Sequence, residues 1–477
     1  MQFVQKIKQA GSLIFHSEKF SKKTIVFLII FIYLPIFSIN ALHHIKPKPL
    51  SGGSRQYFFL AYNMLHHGAY SMNIKDSPNL TPSSYRPPGY STFLAICLAI
   101  IPDFQEITLK DIVRQDERGK AIVHSKDNSG FMKIKYFEAF LHLLISLIAM
   151  WLTWKITGKY YAAILVLLWV GFHPKLSSSV NTLHSEILQS FLATLFSLLL
   201  YYIVEKKNIM LFAISGLLLG CLALTRGTWY YFWLPALLIF FYLAWRFPYE
   251  RKTIITGICL FMTCFVLIVG GWMARNYFHF ERAFLSERGG VALDIRMNIN
   301  MMTWQEYKAS FLVWSKSEYL SKTALKKLFK PEEYERIVRT NPNSFYQTAR
   351  TRRGELNEIY SPQLADKIQL NEAVDKLFHH PFRSIFSTIP ITYRGIQKIA
   401  HQEAICVLIL LLSAFAFIRA ALKKNVGAVA VLFPAGIMFM FNCFLTHNLP
   451  RFNLPYVPVF LIAALLGIEY IWIWYRR

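Results

Sequence analysis

Charged side chains are scarce in this chain. Asp, Glu, Lys and Arg make up 17% of its 477 residues, whereas soluble domains usually contain about 25%. Hydrophobic residues make up 54% and form runs of nearly 20 residues without a charge, as at 24–42, 187–204 and 254–273. Such runs match the ~30 Å hydrocarbon core of a bilayer. The composition excludes an ordinary soluble domain and predicts an all-α, polytopic bundle of transmembrane helices.

Acidic residues are especially few. The 27 Asp and Glu residues face 52 Lys and Arg residues, which gives a formal net charge of +25. Many of the basic residues lie in short segments beside the apolar runs, as short cytoplasmic loops do in membrane proteins. Anionic lipid also attracts them. We therefore assign the charge to topology and membrane lipids and predict no nucleic-acid partner.

Cysteine pairs in polar segments are lacking as well. All six cysteines lie in apolar stretches, where neither a disulfide framework nor a zinc site is expected. The adjacent histidines His66–His67 and His379–His380 point different ways and have no acid in register. The sequence therefore predicts no metal site and no cofactor.

The basic clusters predict the topology. Lys6, Lys8, Lys19, Lys22 and Lys23 precede the first span, and no small-residue cleavage site follows it. We therefore expect a retained first span and a cytoplasmic N-terminus. Placing the later basic clusters inside gives ten spans and a cytoplasmic C-terminus, as for a multi-pass protein of the bacterial inner membrane. The predicted spans are 24–42, 136–155, 160–173, 187–204, 209–224, 229–245, 254–273, 402–419, 427–446 and 455–472.

This path divides the chain into three parts. Residues 1–274 form a transmembrane module with outer loops at 43–136 and 174–186, residues 275–401 form an extracytoplasmic segment of amphipathic helices, and 402–477 form the C-terminal transmembrane helices. Gly89–Ile101 is apolar but too short to span, so we expect an interfacial helix there.

Several motifs identify a relationship. The segment from Pro49 to Tyr57 reads Pro-Leu-Ser-Gly-Gly-Ser-Arg-Gln-Tyr, Leu60–Leu65 follows it, and Arg86–Tyr90 reads Arg-Pro-Pro-Gly-Tyr. This pattern resembles the first extracytoplasmic loop of C-type glycosyltransferases that use polyprenyl-phosphate sugars, such as protein O-mannosyltransferases and lipid A aminoarabinose transferases. Further landmarks of that family follow in order: Ser185-Glu186, Gly216–Gly220 with Leu224-Thr225-Arg226, Trp272 with Arg275-Asn276-Tyr277, and Arg451–Pro455.

The resemblance implies a sugar transfer and a set of residues for it. Such a transfer needs a base for the acceptor and positive charge for the leaving phosphate. The resemblance assigns donor-phosphate binding to Arg86, Arg226, Arg275 and Arg451. It places Tyr57, Asn63, Tyr90, His184 and Asn276 in the substrate cavity. The bland alternatives are a stiff turn for Arg86–Gly89 and a helix-dipole role for Glu186.

The usual acid of the first loop is missing. Members of the family carry an Asp three or four residues before the tyrosine that corresponds to Tyr57, and Gly53 and Ser54 stand there in this chain. The first candidate for the catalytic base is Glu186, which opens a span at the outer face. The second is Asp76, the only carboxylate between His43 and Pro88. A third possibility is that the chain has no base.

Three function hypotheses follow. The first is a membrane glycosyltransferase that moves a sugar from a polyprenyl-phosphate donor to a lipid, glycan or protein acceptor at the extracytoplasmic face. The second is a relative that binds a lipid-linked sugar without transferring it. The third is a lipid or solute transporter or flippase, which normally places ionisable groups near the bilayer midplane. Most of the predicted spans here have no internal charge, and this favours the enzyme over the transporter.

Overall fold

The computed structural model describes residues 22–74, 80–115, 121–124, 128–315 and 318–476. It is 80% helical. Contacts divide the chain into two units, residues 1–44 and 45–477. In the first unit, helix α1 (Lys22–His44) contains the predicted first span.

The second unit contains the other helices and one small hairpin. Its first part comprises α2 (Gly52–His67), α3 (Gly89–Ile100), α4 (Leu109–Ile112), strands β1 (Val113–Gln115) and β2 (Ala121–Val123), α5 (Gly130–Thr157), α6 (Tyr160–Gly171), α7 (Pro174–Ser179), α8 (Glu186–Lys206), α9 (Ile209–Thr225), α10 (Trp233–Arg246) and α11 (Arg251–Phe280). The rest comprises α12 (Gly289–Asn300), α13 (Trp304–Val313), α14 (Glu318–Leu328), α15 (Phe345–Ile359), α16 (Pro362–His379), α17 (Pro381–Ile396), α18 (Glu403–Leu422), α19 (Val426–Leu445), α20 (Pro450–Asn453) and α21 (Val457–Tyr475).

Nine helical segments of the described chain are long and apolar enough to cross a membrane. They lie at nine of the ten predicted spans. The remaining prediction, 209–224, corresponds to α9, an apolar helix of 17 residues. The expected interfacial helix is α3, with 12 residues. The prediction of an all-α, polytopic membrane protein is confirmed, whereas the division into three parts stays a prediction.

Small residues allow α9 to lie directly against α11. A Cβ added at Gly220 would come within 2.7 Å of Ile268, and one added at Gly216 would meet the backbone of Phe261. Close backbone approach through small residues four apart is a common way for helices to pack in membranes, where burial of apolar surface gives little driving force. The Gly216–Gly220 motif therefore sets this helix pair.

The basic loops gather at one end of the second unit. Lys159 forms an ion pair with Glu469 of α21. The Nζ of Lys207 lies 3.7 Å from Glu250, and Lys423 lies 4.6 Å from the ring centroid of Tyr470. These contacts join the segments around Lys159 and Lys423 to the end of α21, and the segment around Lys207 to the one that contains Glu250. Their cytoplasmic orientation stays a prediction.

The opposite end, here called the cavity end, carries the longer loops. Helices α2 and α3 pack there against the hairpin and the start of α5. The hairpin is antiparallel, with Val113 opposite Val123, and Leu50 bridges to Val123 as well. This packing fixes the first loop over the bundle, where its polar residues face the other loops.

Helices α12–α17 form a layer with its own apolar cluster, which includes Ile295, Ile299, Phe345 and Ile391. The layer is joined to the bundle through a fully buried arginine, Arg296. Its guanidinium donates to the carbonyl oxygens of Cys443 (3.1 Å) and Ser384 (3.0 Å), and also to hydroxyl groups of α17. Burial lowers the pKa of Arg296 to about 10.

We expect Arg296→Met to destabilise the protein. The substitution leaves several buried acceptors without a donor, and each such loss costs about 1–3 kcal/mol. The measurement is the thermal unfolding temperature in detergent, with Arg383→Met as the control, because Arg383 is exposed on α17. Equal unfolding temperatures for the two variants would show that the Arg296 network does not stabilise this interface.

Candidate functional site

A cavity of about 690 Å³ lies at the cavity end. We call it the arginine cavity. Its wall combines the first loop, the segment after α9, the end of α11, the segment 282–293, helix α16 and the segment around α20. The charged residues that line it are Arg86, Arg226, Arg282, Arg288, Arg451, Lys367, Glu287 and Asp366.

The charges in this wall are unbalanced. Six of the lining side chains are basic and two are carboxylates. One of the two carboxylates, Asp366, is already paired with Arg353 from outside the cavity. Positive charge enclosed by protein attracts anions much more strongly than positive charge spread over an open surface. The composition of the cavity wall therefore favours an anionic ligand.

Two predicted arginines, Arg226 and Arg451, meet over one aromatic ring. The guanidinium carbons of Arg226 and Arg451 lie 4.1 and 5.7 Å from the ring centroid of Phe452. Arg226 lies directly after the last residue of α9, and Arg451 belongs to α20, so the two come from segments far apart in sequence. The ring leaves their N–H groups available for a phosphate.

Glu186 lies behind this pair. It is 5% exposed, and its Oε1 lies 4.0 Å from the Nε of Arg451. Its other oxygen, Oε2, is buried without a hydrogen-bond partner among the described residues. Glu186 begins α8, where the helix dipole stabilises a carboxylate. Glu186 is therefore next to the phosphate candidates but not among the residues that line the cavity.

A third predicted residue, Arg86, is held by the first loop. Its guanidinium donates to Gln56 Oε1 (2.7 Å from Nη2) and to the hydroxyl of Tyr57 (3.2 Å from Nη1). Burial alone would raise the pKa of Tyr57, but Arg86, a hydrogen bond with Ser185 and the charge of Arg226 lower it below its usual value. Tyr57 lines the cavity and can donate or accept there.

The position of the missing acid is crowded by other side chains. A Cβ at Gly53 would lie 2.7 Å from Cε1 of His184 and 3.1 Å from Nη2 of Arg86. The predicted cavity residue His184 thus fills the space next to Gly53. Burial holds the pKa of His184 below its usual value, and Arg451, Arg86 and Arg226 lower it further against the opposing charge of Glu186. The imidazole is therefore neutral near pH 7.

The structure places Arg275 and Asn276 outside the lining of the cavity. Arg275 donates to the carbonyl oxygen of Ser83 (2.9 Å) and to Oδ1 of Asn276 (2.8 Å). Asn276 in turn donates to the carbonyl oxygen of Phe284 (2.7 Å). The pair ties the end of α11 to the loops on both sides and so positions the wall of the cavity.

Asn63 and Tyr90 also lie away from the lining. Asn63 donates to the carbonyl oxygens of Ser71 and Asn73 and so holds the loop after α2. The hydroxyl of Tyr90 donates to Glu138 at 2.5 Å. Glu138 is fully buried, and its Oε2 has no hydrogen-bond partner among the described residues.

The two carboxylates of the cavity wall were not among the predicted site residues. Glu287 accepts hydrogen bonds from Ser84 (2.8 Å) and Gln363 (3.1 Å). Burial raises the pKa of Glu287, and the neighbouring carboxylate of Asp366 raises it further. Burial also raises the pKa of Asp366, against the charge of Arg353.

The second candidate base, Asp76, lies outside the described residues. In the described part of the chain, no group of three or more His, Cys, Asp or Glu side chains is arranged to hold a metal ion.

Some of these residues left a signal in the sequence. Glu138 is an acid inside a predicted span, and such acids are generally functional. Arg282, Glu287 and Arg288 follow α11 closely, where charged residues crowd the end of an apolar run. Asp366 lies in a segment that has the ordinary composition of a polar helix, so no sequence signal marks it.

Comparisons with solved structures found proteins with a similar fold. Two crystal structures of the oligosaccharyltransferase of Archaeoglobus fulgidus, one with zinc and sulfate and one tethered to an acceptor peptide, match 93% and 92% of this chain. Their TM-scores are 0.51 and 0.50, at 13% and 14% identity. A crystal structure of ArnT from Cupriavidus metallidurans with undecaprenyl phosphate matches 94% of this chain and 78% of its own, with a TM-score of 0.37 and 13% identity. No family model and no curated protein matches the sequence.

The chain spans about half the length of the oligosaccharyltransferase, 49% in both crystal structures. Both solved neighbours are membrane glycosyltransferases of the C-type class. At these identities the likeness concerns the fold alone, and the fold of this chain is similar to that of the Archaeoglobus fulgidus oligosaccharyltransferase.

Proposed function

We propose that this protein is a membrane glycosyltransferase. It transfers a sugar from a polyprenyl-phosphate carrier to an acceptor at the extracytoplasmic face of the bacterial inner membrane. The observation that carries the proposal is the arginine cavity, with six basic side chains and two carboxylates beside the spans. The likeness to glycosyltransferases in fold and the sequence motifs of the first loop support it.

The cavity wall suits an amphipathic ligand. Towards the spans it is lined by Met273, Phe441 and Leu445 and by the tyrosines Tyr230 and Tyr231. Tyr231 is 57% exposed and stacks on Phe441 with their ring centroids 5.4 Å apart. Aromatic residues of this kind favour the interface between lipid and water. A polyprenyl tail can lie along this side while its phosphate lies among the arginines.

The proposed chemistry uses the residues as follows. A hydroxyl or amino group of the acceptor forms a bond to the anomeric carbon of the sugar. The bond from that carbon to the phosphate oxygen breaks, and the polyprenyl phosphate leaves with its extra negative charge. Arg226 and Arg451 stabilise this charge, as enclosed guanidinium groups do for leaving phosphates. The acceptor's proton passes to a carboxylate, for which Glu186 is the first candidate.

We expect Arg226→Gln to weaken the binding of undecaprenyl phosphate about ten- to a hundredfold, because a hydrogen bond to a charged group is worth about 1.5–3 kcal/mol. Binding is measured by tryptophan fluorescence in nanodiscs, and turnover is measured with a panel of undecaprenyl-phosphate sugars. The control is Lys175→Gln, which removes one charge at the cavity end from an exposed position outside the cavity. Unchanged binding in Arg226→Gln would contradict the assignment of the phosphate site.

One observation favours a second candidate, a relative that binds the lipid-linked sugar without transferring it. His184 and Arg86 fill the space next to Gly53, so the first loop offers no carboxylate at the usual place. In that case the purified protein binds undecaprenyl-phosphate sugars and turns none of them over. Turnover of any member of the panel excludes this candidate.

A further inference from the structure

A second group of arginines lies beyond the arginine cavity. We call Arg288, Arg339, Arg350 and Arg394 the outer arginine cluster. Arg288 lines the cavity, whereas Arg339 and Arg350 are exposed to solvent. Arg394 is half-buried, with its guanidinium 4.8 Å from the ring of Trp314. All four belong to the segment 288–394, so this layer carries positive charge from the cavity to the surface.

Tyr346 is the centre of the exposed part of the cluster. The guanidinium carbons of Arg339 and Arg350 lie 4.3 and 5.8 Å from its ring centroid, and Nη2 of Arg339 donates to its hydroxyl at 2.9 Å. Burial alone would raise the pKa of Tyr346, but Arg339, Arg350 and Arg288 together lower it below its usual value. The electrostatic potential at this ring is therefore positive.

His447 occupies the space between the cluster and the cavity. It lines the cavity, is 8% exposed, and its Nδ1 is buried without a hydrogen-bond partner among the described residues. Arg394 donates to its carbonyl oxygen at 3.3 Å. Burial and the surrounding arginines hold the pKa of His447 well below its usual value, so the ring is neutral. A buried ring nitrogen without a partner is costly unless a ligand satisfies it.

A row of rings connects the two groups of arginines. Phe452, which contacts Arg226 and Arg451, lies 5.2 Å from His447 between ring centroids. His447 lies 5.7 Å from Tyr346. The outer arginine cluster is therefore continuous with the phosphate candidates and does not form an isolated surface patch.

The outer arginines also differ from their neighbours in lacking counter-charges. Three other arginines of the same layer have carboxylate partners: Arg336 with Glu306, Arg352 with Glu355 and Glu372, and Arg353 with Asp366. Among the described residues, none of the four outer arginines forms an ion pair. Uncompensated like charges in one place repel each other, and a bound anion relieves the repulsion.

We propose that the outer arginine cluster binds a phosphate- or carboxylate-bearing group of the acceptor. The identity of the ligand as an acceptor rests on the proposed function, whereas the anion site rests on the cluster itself. The donor's phosphate binds Arg226 and Arg451 at the membrane side. The acceptor's anionic group binds Arg339 and Arg350 at the solvent side, and His447 lies between these two sites.

The test uses two probes and the whole protein in phosphatidylcholine nanodiscs. The first probe is undecaprenyl phosphate. The second is glucose 6-phosphate, measured by calorimetry at saturating undecaprenyl phosphate so that the inner site is occupied. Arg339→Gln combined with Arg350→Gln is expected to weaken glucose 6-phosphate binding at least tenfold and to change undecaprenyl phosphate binding less than twofold. The matched control is Arg352→Gln, on the same helix as Arg350. This variant is expected to bind both probes as the wild type does.

Two results would overturn the anion site. One is wild-type protein that does not bind glucose 6-phosphate at millimolar concentration, and the other is equal binding by the double variant. A third result would overturn the assignment to an acceptor. If glucose 6-phosphate binding is abolished in nanodiscs that contain phosphatidylglycerol, the outer arginine cluster binds lipid headgroups instead. The proposed function and the anion site can also fail separately. If undecaprenyl phosphate does not bind but glucose 6-phosphate still binds through Arg339 and Arg350, the proposed function is wrong and the anion site is supported.

Discussion

Glu186→Gln is expected to lower the turnover number about 10²–10⁴-fold, which is the usual contribution of a general base. The amide keeps the shape of the side chain but cannot take the acceptor's proton. Glu186 lies beside the phosphate candidates, with Oε1 4.0 Å from the Nε of Arg451 and Oε2 free of hydrogen bonds from the described residues. The measurement is steady-state transfer from an undecaprenyl-phosphate sugar.

Kinetics of the same variant distinguish two roles for Glu186, a general base and a counter-ion for the arginines. If Glu186 acts as the base, the turnover number falls while the KM for the donor changes little. If Glu186 only neutralises Arg451 and Arg226, its loss frees both guanidinium groups and the KM for the donor falls instead.

Two matched substitutions complete the experiment. Glu287→Gln changes a carboxylate that lines the cavity and is expected to retain most of the turnover, because Glu287 is engaged with Ser84 and Gln363. Asp76→Asn is expected to retain it as well. Loss of turnover in Glu287→Gln, with full activity in Glu186→Gln, would transfer the role of base to Glu287.

The fold was largely predictable because it depends on patterns that are local in sequence. A bilayer requires runs of about 20 apolar residues, and such runs fixed nine helical segments near their observed bounds. The pairing of Lys159 with Glu469 and of Lys207 with Glu250 also agrees with the expectation that the basic loops share a side. Helix α9 has 17 residues and is the one predicted span that is shorter than the other nine segments.

The site was predictable only in part, because it depends on contacts between distant segments. Arg86, Arg226 and Arg451 were predicted from motifs and do line one cavity. Arg275 has the same residue type and a similar place at the end of a span, yet it faces the loop carbonyl oxygens. The direction in which a side chain points at the end of a helix depends on tertiary packing. For the same reason His447 gave no advance signal.

Gly53→Asp is expected to lower donor affinity about ten- to a hundredfold and not to increase turnover. A Cβ at this position lies 3.1 Å from Nη2 of Arg86, so the new carboxylate reaches that guanidinium. It then neutralises one of the positive charges of the cavity, and a charged hydrogen bond lost to the phosphate is worth about 1.5–3 kcal/mol. The imidazole of His184 must also move, because its Cε1 would be only 2.7 Å from the new Cβ.

The control for this variant is Ser51→Asp, which adds the same charge two residues earlier. Ser51 is exposed and is the N-cap of α2, where an aspartate is favoured by both capping and the helix dipole. It is expected to bind undecaprenyl phosphate as the wild type does. Higher turnover in Gly53→Asp than in the wild type would contradict this prediction. It would mean that the first loop still supports an acid at its usual position, so that the natural chain, with glycine there, is a binding protein that has lost its base.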